Sequence, residues 1–562
     1  MAITYQKVGD CVEAPWLIVA GLRRVRRRSL TMESFEAVVI GSGVNGLVAA
    51  AELGLAGWKV ALIEQHPQLG GFVASGELTL PGYVHDTFSS WHPQFTSGGA
   101  YAALGEKLHA HGLQYANTDG AVTGSTAVTG SAVVYRDAAK TAEGLASTHD
   151  RDAYMAMMDQ MGARAGTVFG ALGSEIRATK TMAKLGLGAL RSQKLDGLEM
   201  LVRDAVMSGR SFMRGRFDGP QADQMWAPWL LHAGMSPDHA TGGMMIPVLA
   251  MTLHGFGAPV VVGGAANFIK AFEGLFAELD VTVMTNRRAE SIEVTDGVAS
   301  GVVTDAGVVK ASRAVIASVT PQALYGTLLK SALVPERIRT EAARYRYGRA
   351  AVQVHVALDR PLVWADDTVQ DVPLVHISDG SGSTGIACAQ ADAGMLPAEP
   401  TIVVGRQELL DPARVPEGAG SLWLQLQEAP WAPTADAAGT IAVDGTWSES
   451  TKAAYIDRVL NRVEAHAPGT LSSILKVEAL SPVDLAAANP NAVHGDPYSG
   501  SAELDQNLLW RPLPHAGGHA TRVKGVWHIG ASTHPGAGLN GGSGHLVAQA
   551  LTSSRRKTGA KK

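Results

Sequence analysis

Residues 35–71 read FEAVVIGSGVNGLVAAAELGLAGWKVALIEQHPQLGG, and this stretch decides the fold. An apolar strand, Ala37 to Ile40, runs into Gly41-Ser42-Gly43-Val44-Asn45-Gly46, and an Ala- and Leu-rich helix follows to about Gly57. A second strand, Val60 to Ile63, ends on an acid, Glu64. Strand, glycine loop, helix, strand and acid together form a βαβ dinucleotide-binding unit. Gly41 permits the tight turn, Gly43 lets backbone approach a pyrophosphate, and Gly46 lets helix and strand pack closely. The helix start offers unpaired N–H groups and a positive dipole end to phosphates. Glu64, 23 residues beyond Gly41, is spaced to meet the hydroxyls of an adenosine ribose.

Two further features select FAD over NAD as the dinucleotide. Gly70-Gly71, just past the acid, carries the chain under a pyrophosphate at a distance no side chain would allow. At the far end, Gly525 to Gly544 reads as a strand, a Gly-rich loop and the start of a helix (His545 to Leu551). In flavoenzymes with an N-terminal FAD site, such a terminal unit closes over the ribityl chain and flavin. Gly530, Ala531, Ser532, Gly538 and Leu539 are the expected contacts there, with Asn45 in the first loop. The loop from Gly536 to Gly544 can aim backbone N–H groups at the charge of a reduced flavin. Ala289 lies where a chain crossing the adenine would offer backbone hydrogen bonds. The expected architecture is α/β: a Rossmann-like FAD-binding domain of the glutathione reductase type, with an inserted α+β substrate domain.

Composition narrows the function. The chain has 562 residues, 46% of them hydrophobic and 18% charged, which is ordinary for a globular protein. A net charge of −5 gives no electrostatic reason to expect nucleic acid. Cys11 and Cys388 are the only cysteines, so there is no CxxC redox pair, no Cys-based metal site and no disulfide framework. The cytoplasm is the default location. The uncharged run Ala240 to Ile269 exceeds a membrane span in length. Pro247, Pro259 and its glycines interrupt it, so a buried strand–loop–helix passage is expected. GLRRVRRRSL, residues 21–30, holds five arginines but no apolar segment or cleavage site follows them. Met32 then reads as the natural start, with residues 1–31 a disordered or misannotated extension; a basic membrane-surface arm is the other reading.

The domains are expected to interleave. Residues 32–75, 260–330 and 516–555 would form the FAD domain, 76–259 and 331–515 the substrate domain, and 556–562 a basic tail. Arg177, Lys180, Lys184, Arg191 and Lys194 recur at about helical spacing, either as a solvated face or as a patch for acidic lipid headgroups. A second G-x-G-x-x-G, Gly380 to Gly385, lacks the following strand with a terminal acid, so it reads as a substrate-domain loop.

The motifs resemble those of the phytoene desaturase-related FAD oxidoreductases. Within them the chain is most similar to the branch of desaturase-like β-carotene ketolases and pyridine nucleotide-disulphide oxidoreductase domain-containing protein 2. Gly43-Val44-Asn45-Gly46-Leu47 matches that branch's G-x-N-G-L. Pro81-Gly82-Tyr83-Val84-His85-Asp86, then His92-Pro93, match its P-G-[FY]-x-x-D and H-P. Asp411-Pro412-Ala413-Arg414-Val415-Pro416-Glu417-Gly418 matches D-P-x-R-x-P-x-G. Gly495-Asp496, Asp505-Gln506 and Arg511-Pro512 precede Ala531-Ser532-Thr533-His534-Pro535-Gly536, which matches A-S-T-H-P-G. Related amine oxidases and many desaturases place an acid soon after the last strand's glycine. Here Ala531-Ser532 follows Gly530, leaving that work to backbone amides and Ser532. Val44 stands where the branch often has His, and Leu539-Asn540-Gly541 replaces the commoner Val-[ST]-Gly.

The resemblance implies an FAD-dependent dehydrogenase, desaturase or oxidase moving hydride to flavin N5 from an apolar or amphipathic substrate, carotenoid-like or ring-shaped, at CH–CH bonds. Such chemistry needs the C–H held about 3–3.5 Å from its acceptor. His254, His92 and His534 are the candidate catalytic residues, and His85, Asp86 and Asp496 are further candidates near turns. Histidine is the commonest base near neutral pH, although loss of hydride to leave an allylic cation needs no strong base. No nucleophile elbow, zinc pattern or paired-carboxylate motif competes, so no metal is expected. An amine oxidase-like flavoenzyme is the alternative, with no obvious lysine for N5. A non-catalytic lipid- or prenyl-binding protein, as Rab GDP-dissociation inhibitors are on this fold, is the alternative of another class. Met244, Met245, Met251, Leu253 and Phe256 are expected to wall the substrate cavity. The oligomeric state is not legible, and a peripheral membrane contact is a further expectation.

Overall fold

The computed structural model describes residues 34–559, so the extension read over 1–31 lies outside the described residues. Val38 to Ile40 and Val60 to Ile63 are buried almost completely, as parallel strands with both faces covered must be. Ser34–Ile40 pairs in parallel with Val60–Ile63 on one side and with Gly307–Ser318 on the other. Thr282–Met284 extends the sheet beyond Val60–Ile63, and Val526–Ile529 adds in parallel to Gly307–Ser318. Ala289–Thr295 and Val298–Thr304 form an antiparallel flap on the first half of the long strand Gly307–Ser318. The helices Val44–Leu55, Ala266–Glu278 and Gly542–Gly559 cover one face, burying Leu47, Phe272 and Val547 among others. The last of these helices runs into the segment read as a basic tail.

A second sheet has seven strands, in the order Ile474–Leu480, Ala350–Leu358, Gly420–Ala429, Ile402–Gly405, Leu374–Ile377, Ala121–Ala127 and Gly130–Tyr135. Strand Gly420–Ala429 alternates strictly. Leu422, Leu424 and Leu426 pack in a core with Tyr455, Ile456 and Val459 of helix Glu449–His466. Trp423, Gln425 and Gln427 therefore point to the opposite face. The Gly380 loop joins strand Leu374–Ile377 to helix Ser381–Asp392, and the next sheet strand, Ile402–Gly405, returns antiparallel. A nucleotide-binding unit would need a parallel return.

The tract 240–269 departs from its expected form. Gly242–Phe256 is a helix of 15 residues that contains Pro247. Pro247 falls shortly after the first turn, so it removes one intrahelical bond near the frayed end and the helix continues beyond it. The short strand Val260–Val261 follows. No helix among the described residues is long and apolar enough to cross a membrane.

Candidate functional site

The parallel strands of the first sheet end on one side of the molecule, where open α/β sheets hold their ligands. There Gly43, Ser318 and Gly530, each just past or at a strand end, line a cavity of about 250 Å³ whose far wall is built in part from the second sheet. The strand ends are locked together. Gly41 N–H donates to the Ile63 carbonyl at 2.8 Å. A Cβ on Gly41 would stand 3.0 Å from the Ser318 carbonyl oxygen. Asn491 clamps the next turn, donating from Nδ2 to that same oxygen at 3.1 Å and accepting from Thr320 N–H at 3.2 Å.

The structure brings most of the expected cofactor residues together. Gly43, Asn45, Gly70, Gly530, Ala531, Ser532, Gly538 and Leu539 all line the cavity. Gly41, Gly46, Glu64 and Gly71 stand behind them. Glu64 Oε2 accepts from Ser42 N–H at 2.9 Å and from Ser42 Oγ at 2.6 Å, and Ser42 Oγ accepts from Gly70 N–H at 3.1 Å. The acid thus ties the glycine loop to the Gly70-Gly71 turn. Gly70 has φ +118° and Gly71 φ +60°, and a Cβ on Gly70 would lie 2.5 Å from the Val73 carbonyl oxygen. The terminal helix closes the far side. Gly544 N–H donates to Asn45 Oδ1 at 3.2 Å, and a Cβ on Gly544 would come within 2.0 Å of the Asn45 carbonyl oxygen. Ala289 does not line the cavity; it opens the flap strand and pairs with Thr304.

This frame fits FAD. Gly43 faces open space, with no heavy atom within 4 Å of where its Cβ would be. It is the cradle that a pyrophosphate requires and a side chain would fill. The backbone amides of both glycine turns and the Glu64 carboxylate would hold the dinucleotide. Glu64→Ala is expected to weaken FAD binding by about 1.5–3 kcal/mol, the scale of charge-assisted hydrogen bonds. Titration of the apoprotein with FAD measures it, and an unchanged affinity would remove Glu64 from the ribose site.

The three histidines singled out for catalysis do not line the cavity. His254 spends both ring nitrogens, on the Tyr135 carbonyl and on the Tyr154 hydroxyl, each at 2.7 Å. His92 is fully buried with Nδ1 on the Tyr115 hydroxyl at 2.9 Å. Burial, with the Arg414 charge adding to it, holds its pKa at about 3. His534 is bonded through Nε2 to the Ala171 carbonyl at 3.0 Å, and burial lowers its pKa to about 4. His85 bonds Thr79 Oγ1, Asp86 pairs with Arg414, and Asp496 accepts from the backbone N–H groups of Gly348, Tyr498 and Gly500. Of the expected wall only Leu253 lines the cavity. Leu249, Thr252 and Leu253 line the cavity, whereas Met244, Met245 and Met251 pack beside Met161 and Val168. Phe256 is exposed.

The far wall holds residues that the sequence did not single out. It consists of Trp91, Trp229, His232, Trp423, Gln425 and Gln427. His232 Nε2 lies 2.9 Å from Nε2 of His376, and the Trp229 ring lies tilted against His232 with centroids 4.5 Å apart. Burial pushes both imidazoles down, that of His376 to about 4, so both are neutral. His232 lines the cavity and makes no other side-chain hydrogen bond among the described residues, whereas the buried Nδ1 of His376 has no partner. The alternation of Trp423, Gln425 and Gln427 with leucines was the readable signal for part of this wall. None of the residues lining the cavity is an Asp, Glu, Lys or Arg.

Residues 45–551 match the family described as flavin containing amine oxidoreductase. The chain belongs to this family. It is an FAD-dependent oxidoreductase. The chain is 25% identical over 562 residues to pyridine nucleotide-disulfide oxidoreductase domain-containing protein 2 of Rattus norvegicus, covering 92% of each. A limonene dehydrogenase subunit of Castellaniella defragrans is 22% identical, over 92% of this chain and 94% of that one. 4,4'-Diapolycopen-4-al dehydrogenase of Metabacillus indicus is 20% identical over 60% of this chain and 61% of its own. A structure of putrescine oxidase bound to putrescine superposes with a TM-score of 0.57 at 14% identity, over 93% of this chain and 99% of that one. At that identity it shows the fold alone.

Proposed function

We propose that the flavoprotein oxidises an apolar or amphipathic molecule at a carbon–carbon bond. The uncharged cavity carries this reading. An ammonium or carboxylate buried there would lack a counter-charge, at a cost of several kcal/mol, whereas a hydrocarbon loses nothing by leaving water. FAD, when bound, supplies the hydride acceptor. Leu249, Leu253 and Leu374 with the Trp229 and Trp423 rings then hold the substrate and exclude water. Loss of hydride makes the neighbouring C–H strongly acidic, so the proton can leave without a strong base, and His232 is the imidazole that lines the cavity. Two relatives named for limonene and for 4,4'-diapolycopen-4-al support an apolar substrate.

An amine is the second reading, favoured by the same aromatic wall. Trp91, Trp229, Trp423 and Tyr498 could hold a cation on their ring faces. Anaerobic mixing separates the two. Limonene and a detergent-dispersed polyene are expected to bleach the visible flavin band, and putrescine and cyclohexylamine to leave it unchanged. Rapid bleaching by the amines with none by the hydrocarbons would replace the first reading with the second.

A further inference from the structure

We infer that the outer face of helix Thr179–Val206 is a docking surface for an anionic lipid bilayer. Residues 177–195 hold five cations and no acid, in a chain whose net charge is −5. Lys180, Lys184, Leu187 and Arg191 succeed one another at intervals of four, three and four, which places them on one helical face. Leu190 and Ala183 flank that face. All six are exposed, Leu187 by 49% and Leu190 by 37%. Lys194, at φ +58°, breaks the helix. Beyond it Leu195 is 71% exposed and Val202 57%, but the acids Asp196 and Glu199 are exposed there too, so the basic face proper runs from Lys180 to Lys194. The opposite side of the helix is already spent: Ala189 is buried, and Leu201 packs on Met161, Val168 and Val248 of the neighbouring helices.

The composition of this face selects its occupant. A face meant only for water has no use for exposed leucines. A face meant for another protein is depleted of lysine. Exposed leucines set among the exposed Lys180, Lys184 and Arg191 suit a surface that offers apolar chains beneath phosphates. This basic stretch would meet a negative surface there.

The face also adjoins the cofactor end of the molecule. The turn that leads into this helix is fastened to the C-terminal segment. Glu175 Oε2 pairs with His519 Nδ1 at 2.6 Å, and Arg177 donates to the carbonyls of Pro514 at 3.1 Å and Leu513 at 3.0 Å. Arg177 also holds the Leu509 carbonyl, so Leu509 and Trp510, 50% and 41% exposed, sit beside the turn. Tryptophan is the side chain favoured where hydrocarbon meets headgroups. His519 Nε2 bonds the His534 carbonyl at 2.8 Å, four and five residues before Gly538 and Leu539 of the cavity lining. Docking would thus set a bilayer against the segment that closes the site. The inference stands whether or not the substrate is apolar.

Vesicle co-sedimentation of the FAD-loaded full chain tests it. Binding is expected to vesicles of phosphatidylcholine mixed with phosphatidylglycerol, to be weak on pure phosphatidylcholine, and to fall with added salt. The triple variant Lys180→Gln, Lys184→Gln, Arg191→Gln and the double variant Leu187→Asp, Leu195→Asp should each lose affinity by about tenfold or more. Both change only exposed side chains, so FAD content and melting should match the parent. Equal binding by parent and variants would overturn the inference, including the case in which the arginines of residues 23–28 carry the binding. A change of oligomeric state in the leucine variant, with no vesicle binding by the parent, would overturn it in favour of a protein interface.

Discussion

Arg414→Met is expected to destabilise the FAD-loaded protein by about 3–5 kcal/mol, the cost of stranding buried carboxylates. The Arg414 side chain is 1% exposed and that of Asp86 is fully buried. Arg414 Nη1 lies 2.7 Å from Asp86 Oδ2, Nε lies 3.1 Å from Asp411 Oδ2, and Nη2 donates to the Val261 carbonyl. The carboxylates in turn hold backbone. Asp86 Oδ1 accepts from Ala265 N–H at 2.7 Å, and Asp411 Oδ2 accepts from Gly263 N–H at 2.7 Å. One planar guanidinium therefore fastens three segments that are far apart in sequence. The effect reaches the cavity wall, because Ser90 Oγ donates to Asp86 and accepts from Gln407 Nε2. Arg414→Lys keeps the charge without the fork, so it should recover only part of the loss. Urea unfolding measures both, read as a shift of midpoint at constant slope. A loss below about 1 kcal/mol, the level of an exposed pair, would show that the cluster is not what joins these segments.

That cluster marks the limit of what the sequence could say. Asp86 and Arg414 sit in two motifs whose spacing is plain in the chain, yet nothing in either motif says that they meet across 328 positions. The nucleotide unit was legible because its function is local: glycines, helix start and acid all act within one βαβ. The terminal glycine loop was legible for the same reason. The candidate histidines failed because a histidine's task depends on its partners, and nothing in the sequence pairs His254 with Tyr154, His92 with Tyr115 or His534 with the Ala171 carbonyl. His232 was overlooked for the converse reason, since its pairing with His376 joins a turn to a strand of the second sheet. Pro247 misled differently. It argued against a helix, but the packing of Ile246, Leu249 and Leu253 in the surrounding core outweighs one lost backbone bond.

Gly46→Ala and Gly43→Ala, three residues apart in one loop, are expected to fail in different ways. A Cβ on Gly46 would stand 1.9 Å from the Gly41 carbonyl oxygen and 3.1 Å from its carbon. Neither atom can yield cheaply. Gly41 holds a positive φ of +88°, its N–H is bonded to Ile63, and the Ser318 carbonyl lies against its other side. Gly46→Ala should therefore cost at or above the top of the roughly 1–3 kcal/mol range of overpacked cores, and the protein should emerge unstable and without flavin. Gly43 differs in both respects. Its φ of −58° suits any residue, and its Cβ would meet nothing. Gly43→Ala should fold and melt, without cofactor, like the parent apoprotein, yet bind FAD about tenfold or more weakly, roughly 1.4 kcal/mol, because the methyl occupies the pyrophosphate cradle. Thermal unfolding of the two apoproteins and titration with FAD distinguish packing from recognition. If Gly43→Ala takes up FAD with the parent's affinity, the pyrophosphate does not lie over this loop, and the assignment of the cradle to Gly43 is wrong.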